Sequence, residues 1–280
     1  MITLDHVAVM SRDLVALHAA YEALGFTLTP LAQQSGRLRA DGPVEPWGTA
    51  NRCAMLGQDG VGSGYLELIG VLDPALPGNG IERFLARYEG VHNITLGMPD
   101  DAAELARLRA AGLEIAGPLL LERPVDSADP HGPQARFVRL PLPDAPEGRL
   151  QLVRHLTPEA IWTPGFMAHA NRAVALEAAI IVSAEPAATA ARLSRLAGRP
   201  VVPDPAGGFL LTLAAGRVRV LWPEALAAVL PGVVTPTLPF MAGVVVRTAD
   251  GAAAARGLSG LVEVPGGWMA MAGGAAIVFG

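Results

Sequence analysis

Thr3-Leu4-Asp5-His6-Val7-Ala8-Val9 is the stretch from which the fold of the whole chain can be worked out. Its alternation of side chains predicts a strand with one buried face. A helix is predicted from Asp13 to Leu24, and Gly25 is the expected helix stop. Three further strands are predicted after it, at Phe26–Leu31, Asn51–Leu56 and Tyr65–Ile69. This first unit is therefore β-α-β-β-β.

The same order of elements recurs three more times. The later units begin at His92–Leu96, at Leu176–Val182 and at Met241. The second strand of the second unit is predicted at Leu113–Ile115. One such unit leaves a face of its sheet open, so two units must pair, and pairing curls their sheets around a shared cavity. We therefore predict an α+β fold of four β-α-β-β-β modules that pair into two half-barrel domains. The predicted boundaries are residues 1–157 for the N-terminal domain with the site, 158–172 for a linker, and 173–280 for a shorter, degenerate C-terminal domain.

Composition excludes several classes of function. The 280-residue chain contains no lysine, so a Schiff-base lysine, a pyridoxal-phosphate anchor and a P-loop are all excluded. A net charge of -5 with scattered arginines argues against nucleic acid as a partner. Prolines interrupt the longest uncharged stretches, so no membrane helix is predicted. Cys53 is the single cysteine, and Asp5 stands where a signal peptide would be basic, so a cytoplasmic location is expected.

His6 and Glu67 are the first candidate functional residues. His6 shares a strand face with Ala8, and Glu67 lies on the face opposite Leu66 and Leu68. In a curled sheet the first and last strands of a unit can lie side by side. An imidazole and a carboxylate that converge there could bind a divalent metal or act as an acid–base pair.

The second unit places amides at the equivalent positions. His6 precedes Asp13 by seven residues and Asn93 precedes Asp100 by seven, which aligns Asn93 with His6. The same alignment puts Gln151 where Glu67 stands. A slip of one residue would put His92 in place of Asn93. The third and fourth units offer Ala178, Arg219 and Gly243 at the matching positions, so no second site is expected there.

Several further polar residues are predicted to contact a substrate. Arg52 could bind a substrate carboxylate with two hydrogen bonds, or it could lie on the protein surface. Arg123 and His155 are expected at the mouth of the cavity. The predicted substrate-binding set is Thr49, Asn51, Arg52, Asn93, Arg123 and His155. Segments Gln33 to Pro46 and Pro124 to Gln134 are insertions that we expect to be functional or disordered loops.

Three stretches carry a resemblance to a known family. Leu4–Val9, Gly48–Arg52 and Tyr65–Ile69 resemble the vicinal oxygen chelate superfamily, which includes glyoxalase I, extradiol dioxygenases and bleomycin-resistance proteins. With Asn93, Gly117-Pro118 and Glu122-Arg123 downstream, the order of motifs resembles the glyoxalase-like domain family. The resemblance implies a metal on the inner face that polarises substrate oxygens. His6 and Glu67 match two of the four usual ligand positions, and Asn93 and Gln151 stand at the other two.

Three functional hypotheses remain open. The first is an enzyme that uses a divalent metal (Fe, Mn, Zn, Ni or Mg) held by His6, Glu67 and Gln151 in a lyase, isomerase or dioxygenase step. The second is a metal-free protein of the bleomycin-resistance type that binds or sequesters a small molecule in the same cavity. The third is a protein-association module, and exposed sheet edges could also support a homodimer.

Overall fold

The computed structural model describes residues 1–36, 41–143, 145–251 and 257–280. Strands make up 43% and helices 19% of the protein, which confirms the predicted α+β class. No helix in the described ranges is long and apolar enough to cross a membrane.

The first two modules make up the N-terminal half of the structure. The elements of the first are β1 (Thr3–Ser11), α1 (Leu14–Ala23), β2 (Ala32–Gly36), β3 (Glu45–Gln58) and β4 (Val61–Val71), followed by the short helix α2 (Glu82–Leu85). Those of the second are β5 (Gly90–Gly97), α3 (Asp101–Ala110), β6 (Leu119–Pro124), β7 (Gln134–Leu142) and β8 (Arg149–His155).

The remaining modules follow two short helices, α4 (Pro158–Ile161) and α5 (Pro164–Met167). The third contains β9 (Ala173–Val182), α6 (Pro186–Ala197), β10 (Val201–Pro203), β11 (Gly208–Thr212), β12 (Arg217–Leu221), a 3-10 turn (Pro223–Ala225) and α7 (Leu226–Val229). The fourth contains β13 (Phe240–Thr248), β14 (Val262–Val264), β15 (Gly267–Ala272) and β16 (Ala275–Phe279). The helix expected in this module would lie between β13 and β14, where residues 252–256 are outside the described ranges.

The modules share one pairing pattern. In each, the first strand lies parallel to the last, as in β1 with β4 and β5 with β8. The modules pair through their first strands, because β1 is antiparallel to β5 and β9 is antiparallel to β13. These contacts join the strands into a continuous path in the order β10-β11-β12-β9-β13-β5-β1-β4-β3-β2.

Helices α1 and α3 begin after Asp13 and Asp100, the two acids that align the first unit with the second. The Asp13 carboxylate accepts a hydrogen bond from Ala16 N at 2.8 Å, and that of Asp100 accepts one from Ala103 N at 2.9 Å. Both are N-caps, which stabilise a helix by satisfying a free backbone N–H. After α1 the chain reverses at Gly25, whose φ of 77° favours glycine.

The two faces of each inner strand have different roles. Val7 and Val9 of β1, with Leu66 and Leu68 of β4, pack with Tyr21 of α1 in the main hydrophobic core. Their neighbours in sequence therefore point to the opposite face, which is concave. Because of this alternation, the side chains of His6 and Glu67 point away from the core.

Two predicted strands are wrong. Phe26–Leu31 has no regular strand, because Thr29 bonds to Cys53 partly through its side-chain hydroxyl and interrupts the backbone ladder. Leu113–Ile115 is also irregular, and the second strand of that module begins only after Pro118, which has no N–H to donate. The segment Gln33 to Pro46, predicted as a loop, instead contributes to β2 and β3, while its residues 37–40 lie outside the described ranges.

Candidate functional site

The first two modules curl around a cavity. Its volume is about 110 Å³, well above the roughly 10–15 Å³ that one water molecule needs, so it has room for a small ligand. Apolar side chains such as Met55 and Phe137 form part of its wall. The polar residues of its described lining include Thr29, Tyr65, His6, Gln34, Ser35, Asn51, Glu67, Asn79, Asn93, Arg123, Arg139, Arg149, Gln151 and His155.

An irregularity in β1 brings Asp5 beside His6. The pairing of β1 with β5 shifts register between Leu4 and His6, as at a β-bulge. Consecutive side chains can then lie on one side of the sheet, and the Asp5 carboxylate accepts a hydrogen bond from His6 Nδ1 at 2.7 Å. Gly64 of β4, with φ of 85°, makes room for the bulge, because a Cβ there would lie 2.9 Å from Asp5 O.

Asp5 also bonds to a second histidine. Its Oδ1 lies 3.2 Å from His155 Nε2, so one carboxylate holds two imidazoles. Burial opposes the charge of Asp5, but hydrogen bonds from His155 and His6 and their positive charge lower its pKa to about 2. Asp5 is therefore a carboxylate at any pH near neutrality.

The hydrogen bond to Asp5 fixes the tautomer of His6. Because His6 donates its Nδ1 hydrogen to Asp5 in this hydrogen bond, the lone pair of the neutral imidazole is at Nε2. That nitrogen lies 3.9 Å from Glu67 Oε2. The ring of Tyr65 stacks on the imidazole with centroids 4.4 Å apart, which fixes the plane of the ring.

Glu67 is held from the other side by Asn51. Its Oε1 accepts a hydrogen bond from Asn51 Nδ2 at 2.9 Å. The buried Asn51 Oδ1 has no hydrogen-bond partner within the described part of the chain. This unsatisfied acceptor beside Glu67 is a position where a bound molecule could donate a hydrogen bond.

The amides of the second module form a chain of hydrogen bonds. Gln151 Nε2 donates to Thr95 Oγ1 at 2.9 Å, and Thr95 Oγ1 donates to Asn93 Oδ1 at 3.1 Å. Because the oxygen of Asn93 is occupied, its Nδ2 is the atom that it can offer to a ligand as a donor. The oxygen of Gln151 accepts a hydrogen bond from Arg139 at 3.5 Å.

The strand registers agree with the alignment of the two modules. Ala8 is opposite Glu67 and Thr95 is opposite Gln151, so Glu67 and Gln151 hold equivalent places. Asn93, and not His92, lines the cavity. His92 instead stacks on Tyr88 with centroids 3.9 Å apart, and burial lowers its pKa to about 4.

Two predicted substrate contacts lie outside the cavity lining. Arg52 is the residue between Asn51 and Cys53, so strand alternation points it to the other face. There it donates to Thr29 O at 2.7 Å and to the Glu22 carboxylate at 2.7 Å. Thr49 is buried and donates to Gln34 Oε1 at 2.7 Å, so it supports a lining residue without lining the cavity itself.

The sequence analysis missed Asp5, Arg139 and Arg149. Asp5 was hidden because a bulge cannot be read from alternation. Arg149 could have been found, because it shares a face with Gln151, two positions further along β8. Arg139 could likewise have been placed inside from its spacing to Ala135 and Phe137 on β7, both of which line the cavity.

The two other reactive side chains in the cavity are kept neutral. Burial, with the nearby charge of Glu67, raises the pKa of the Cys53 thiol to about 12. Burial and the charges of Asp5 and Glu67 raise the pKa of Tyr65 well above its usual value. Neither is a thiolate or phenolate at neutral pH, so the acid–base candidates are His6 and Glu67.

The side chains present do not fit a divalent metal ion. His6 Nε2 and Glu67 supply two donors, and no group of three His, Cys, Asp or Glu side chains suited to a metal occurs in the described ranges. The third predicted ligand, Gln151, has its oxygen turned to the Arg139 guanidinium. Arg139 and Arg149 would also repel a dication, so we assign no chemical step to a metal.

The chain belongs to the glyoxalase-like domain family. The model of that family matches residues 4–197. This match confirms the resemblance to the glyoxalase-like domain family that the sequence motifs indicated. No curated protein matches the chain in sequence.

Two solved structures share the architecture at low sequence identity, and a third aligns with part of the chain. A hypothetical protein from Staphylococcus aureus is 14% identical, with a TM-score of 0.66 over 100% of this chain and 99% of its own. A mutant of 4-hydroxymandelate synthase from Streptomyces coelicolor is 14% identical, with a TM-score of 0.57 over 94% of this chain and 77% of its own. A methylmalonyl-CoA epimerase mutant from Streptomyces coelicolor is 20% identical and covers 56% of this chain and 99% of its own, with a TM-score of 0.37.

Proposed function

We propose that the protein is an enzyme that transfers a proton to and from a small oxygen-bearing molecule bound in the N-terminal cavity. The observation that carries this proposal is the pair His6 and Glu67. Their Nε2 and Oε2 atoms lie 3.9 Å apart and both residues line the cavity. Each is positioned by a further side chain, Asp5 for His6 and Asn51 for Glu67.

One proton shared by this pair leaves one acid and one base at any time. The base removes a proton from a substrate carbon, and the acid returns one to the same or a neighbouring atom. With the proton on His6, Asp5 stabilises the imidazolium and the amide of Asn51 stabilises the Glu67 carboxylate. With the proton on Glu67, neutral His6 is the base. Such a cycle consumes no further reactant and suits an isomerase step. In a lyase step the C–H electrons form a double bond, the bond to a group on the neighbouring carbon breaks, and the acid protonates that departing group.

The surrounding polar groups would bind and orient the substrate. Asn93 offers an N–H, and the free Asn51 Oδ1 accepts from a substrate hydroxyl. His155 is held by Asp5 and packs against Trp162 in a T-shaped arrangement with ring centroids 4.9 Å apart, so we take it as a fixed part of the wall. We assign Arg123, with Arg139 and Arg149, to the recognition of negative charge.

We also propose that the site belongs to an N-terminal domain of residues 1–157, joined by 158–172 to a C-terminal domain of 173–280. The C-terminal half lacks the constellation within its described residues. Arg219 stands at a position that matches Glu67, and it is bound by Asp204 through two hydrogen bonds of 2.7 and 2.8 Å. We assign this half a structural role.

Proton exchange with solvent tests the function without knowledge of the substrate. Small keto acids, hydroxy acids and aldehydes are incubated with the protein in D2O, and the loss of C–H signals is followed by NMR. We expect exchange of a compound that binds the cavity, and a loss of at least about a hundredfold in rate in Glu67→Gln and in His6→Gln. Arg154→Gln, on the outer face of β8, is the control.

Two results would remove the proposal. One is exchange in Glu67→Gln at the wild-type rate. The other is a set of compounds that bind in the cavity, by chemical-shift changes of its residues, and never exchange. The second result would favour the metal-free binding protein. Exchange that depends on an added divalent ion would instead favour metal-assisted chemistry.

A further inference from the structure

Three arginines of the cavity lack a carboxylate partner. Arg123 of β6, Arg139 of β7 and Arg149 of β8 all line the cavity. No carboxylate in the described ranges lies within 4.0 Å of any of the three guanidinium groups. Arginines outside the cavity are often paired, as Arg154 is with Asp101 at 2.9 Å and Arg219 with Asp204.

The partners that two of them do have are neutral. Arg139 reaches Gln151 at 3.5 Å, and its buried Nε has no partner among the described residues. Arg149 donates to Asn79 O at 2.9 Å and lies over the ring of Phe84. Neutral partners do not offset the cost of taking a guanidinium out of water, so the free cavity holds uncompensated positive charge.

Both groups nevertheless stay charged. Burial lowers the pKa of Arg139, and burial with the charge of Arg139 lowers the pKa of Arg149 to about 10. At neutral pH both remain protonated. The two guanidiniums also lie near enough to each other and to Glu67 for their charges to interact.

The sum of charges in the cavity specifies the ligand further. Of the described lining residues, three are arginines and one, Glu67, is an acid, so the excess is 3 − 1 = 2 positive charges. Asp5 is not counted, because it does not line the cavity and its carboxylate is hydrogen-bonded to His6 and His155. The chain as a whole has a net charge of -5, so the cavity is opposite in sign to the rest of the protein.

We propose that this cavity binds a dianion, with its negative charges met by Arg139 and Arg149 and supported by Arg123. The proposal rests on the proposed function only in taking the same cavity as the place where the substrate binds. A dicarboxylate and a phosphate monoester both carry two negative charges near neutral pH. In either, the dianion would be held beside Glu67 and His6.

Calorimetric titration of the full-length protein with matched ligands tests the proposal. Malonate, succinate, glutarate and adipate are each compared with their own monoamide, which keeps the shape and loses one charge. Methyl phosphate is compared with methyl sulfate in the same way. We expect at least one dianion to bind about tenfold or more tightly than its monoanion, because a charge-assisted contact is lost with the second charge.

Variants locate the contacts. Arg139→Gln and Arg149→Gln should each reduce the preference for that dianion to about twofold or less. Arg154→Gln removes the same charge from the outer face of β8 and should keep the full preference. If one cavity variant does not fold, the other variant still tests the contact. The salt dependence of the wild-type affinity is a second test, because added salt should weaken binding of the dianion more than binding of its monoanion.

Two results would overturn the proposal. In the first, folded wild-type protein binds every diacid no more tightly than its monoamide and methyl phosphate no more tightly than methyl sulfate. In the second, both arginine variants keep the preference. A preference shown by the diacids alone assigns a dicarboxylate, and one shown by methyl phosphate alone assigns a phosphate monoester.

Glu67→Gln separates this inference from the proposed function. Removing the one acid of the lining should leave dianion affinity unchanged or raise it, while proton exchange is lost. Dianion binding without exchange in the wild type would support the inference and contradict the function. Proton exchange of a monoanion by a wild-type protein that has no preference for dianions would support the proposed function and contradict the inference.

Discussion

Arg139→Met should make the ligand-free protein more stable. The guanidinium of Arg139 is mostly buried, its Nε is unsatisfied, and its single described hydrogen bond, to Gln151, is long at 3.5 Å. Met keeps much of the apolar stem and removes the charge. Loss of so weak a hydrogen bond costs less than about 1 kcal/mol. Replacing a poorly compensated buried charge by an apolar side chain gains on the order of 1–4 kcal/mol.

The expected net change is a gain of about 1 kcal/mol in the free energy of unfolding, or a rise in Tm of about 2 °C. Urea unfolding measures the first and calorimetry the second. In saturating dianion the order should reverse, because ligand binding stabilises the wild type more than the variant.

Arg52→Met is the matched control. Arg52 is also part-buried on a strand, but it donates to Thr29 O and pairs with Glu22, both at 2.7 Å. Its removal should therefore destabilise the protein by about 1–2 kcal/mol. If Arg139→Met destabilises the free protein as much as Arg52→Met does, the guanidinium is satisfied in the fold, and the argument for a ligand that compensates it is refuted.

Three further changes have defined outcomes. Asp5 has its pKa lowered from 3.8 to about 2, so its carboxylate stabilises the fold above about pH 4 and that contribution is lost as the pH falls toward 2; urea unfolding should show the advantage of the wild type over Asp5→Asn shrinking by about 2 kcal/mol across this range. Gly64→Ala puts a Cβ 2.9 Å from Asp5 O at a positive φ, and it should cost about 1–3 kcal/mol of stability by thermal unfolding and reduce proton exchange. Protein purified without a tag should contain divalent metal well below one equivalent by elemental analysis, and one equivalent that His6→Ala removes would show a metal site there.

Much of the fold could be predicted because local rules agree with one another. Asp13 and Asp100 are good N-caps, Gly25 suits the turn after the first helix, and the apolar residues of the first strand alternate. These features identify each module, and a module with one open face must pair. Phe26–Leu31 failed because a strand also needs a backbone ladder, and the hydroxyl of Thr29 replaces part of it.

The candidate site could be predicted where it depends on alternation. His6, Glu67, Asn93 and Gln151 are separated by even steps from other inward positions, and they all line the cavity. Arg52 was predicted to contact substrate because the motif around it was considered as a whole. Strand alternation, applied residue by residue, points Arg52 to the face opposite Asn51 and Cys53.

The electrostatics of the site depends on distances that one sequence does not contain. The bulge places the Asp5 side chain on the same side of the sheet as His6, where alternation would have placed it on the opposite side. The resulting hydrogen bond fixes the tautomer of His6. The missing partners of Arg139 and Arg149 are likewise invisible until every neighbouring carboxylate has been placed. For this reason the sequence favoured a metal, and the arrangement of side chains favours an anion.

A crystal structure with the tightest-binding dianion from the titrations tests the central claim most directly. We predict its acidic groups at hydrogen-bond distance, about 3 Å, from Arg139 and Arg149, with an exchangeable C–H facing Glu67 Oε2 or His6 Nε2. A ligand bound elsewhere, or one whose exchangeable carbon points away from both Glu67 and His6, would contradict the account.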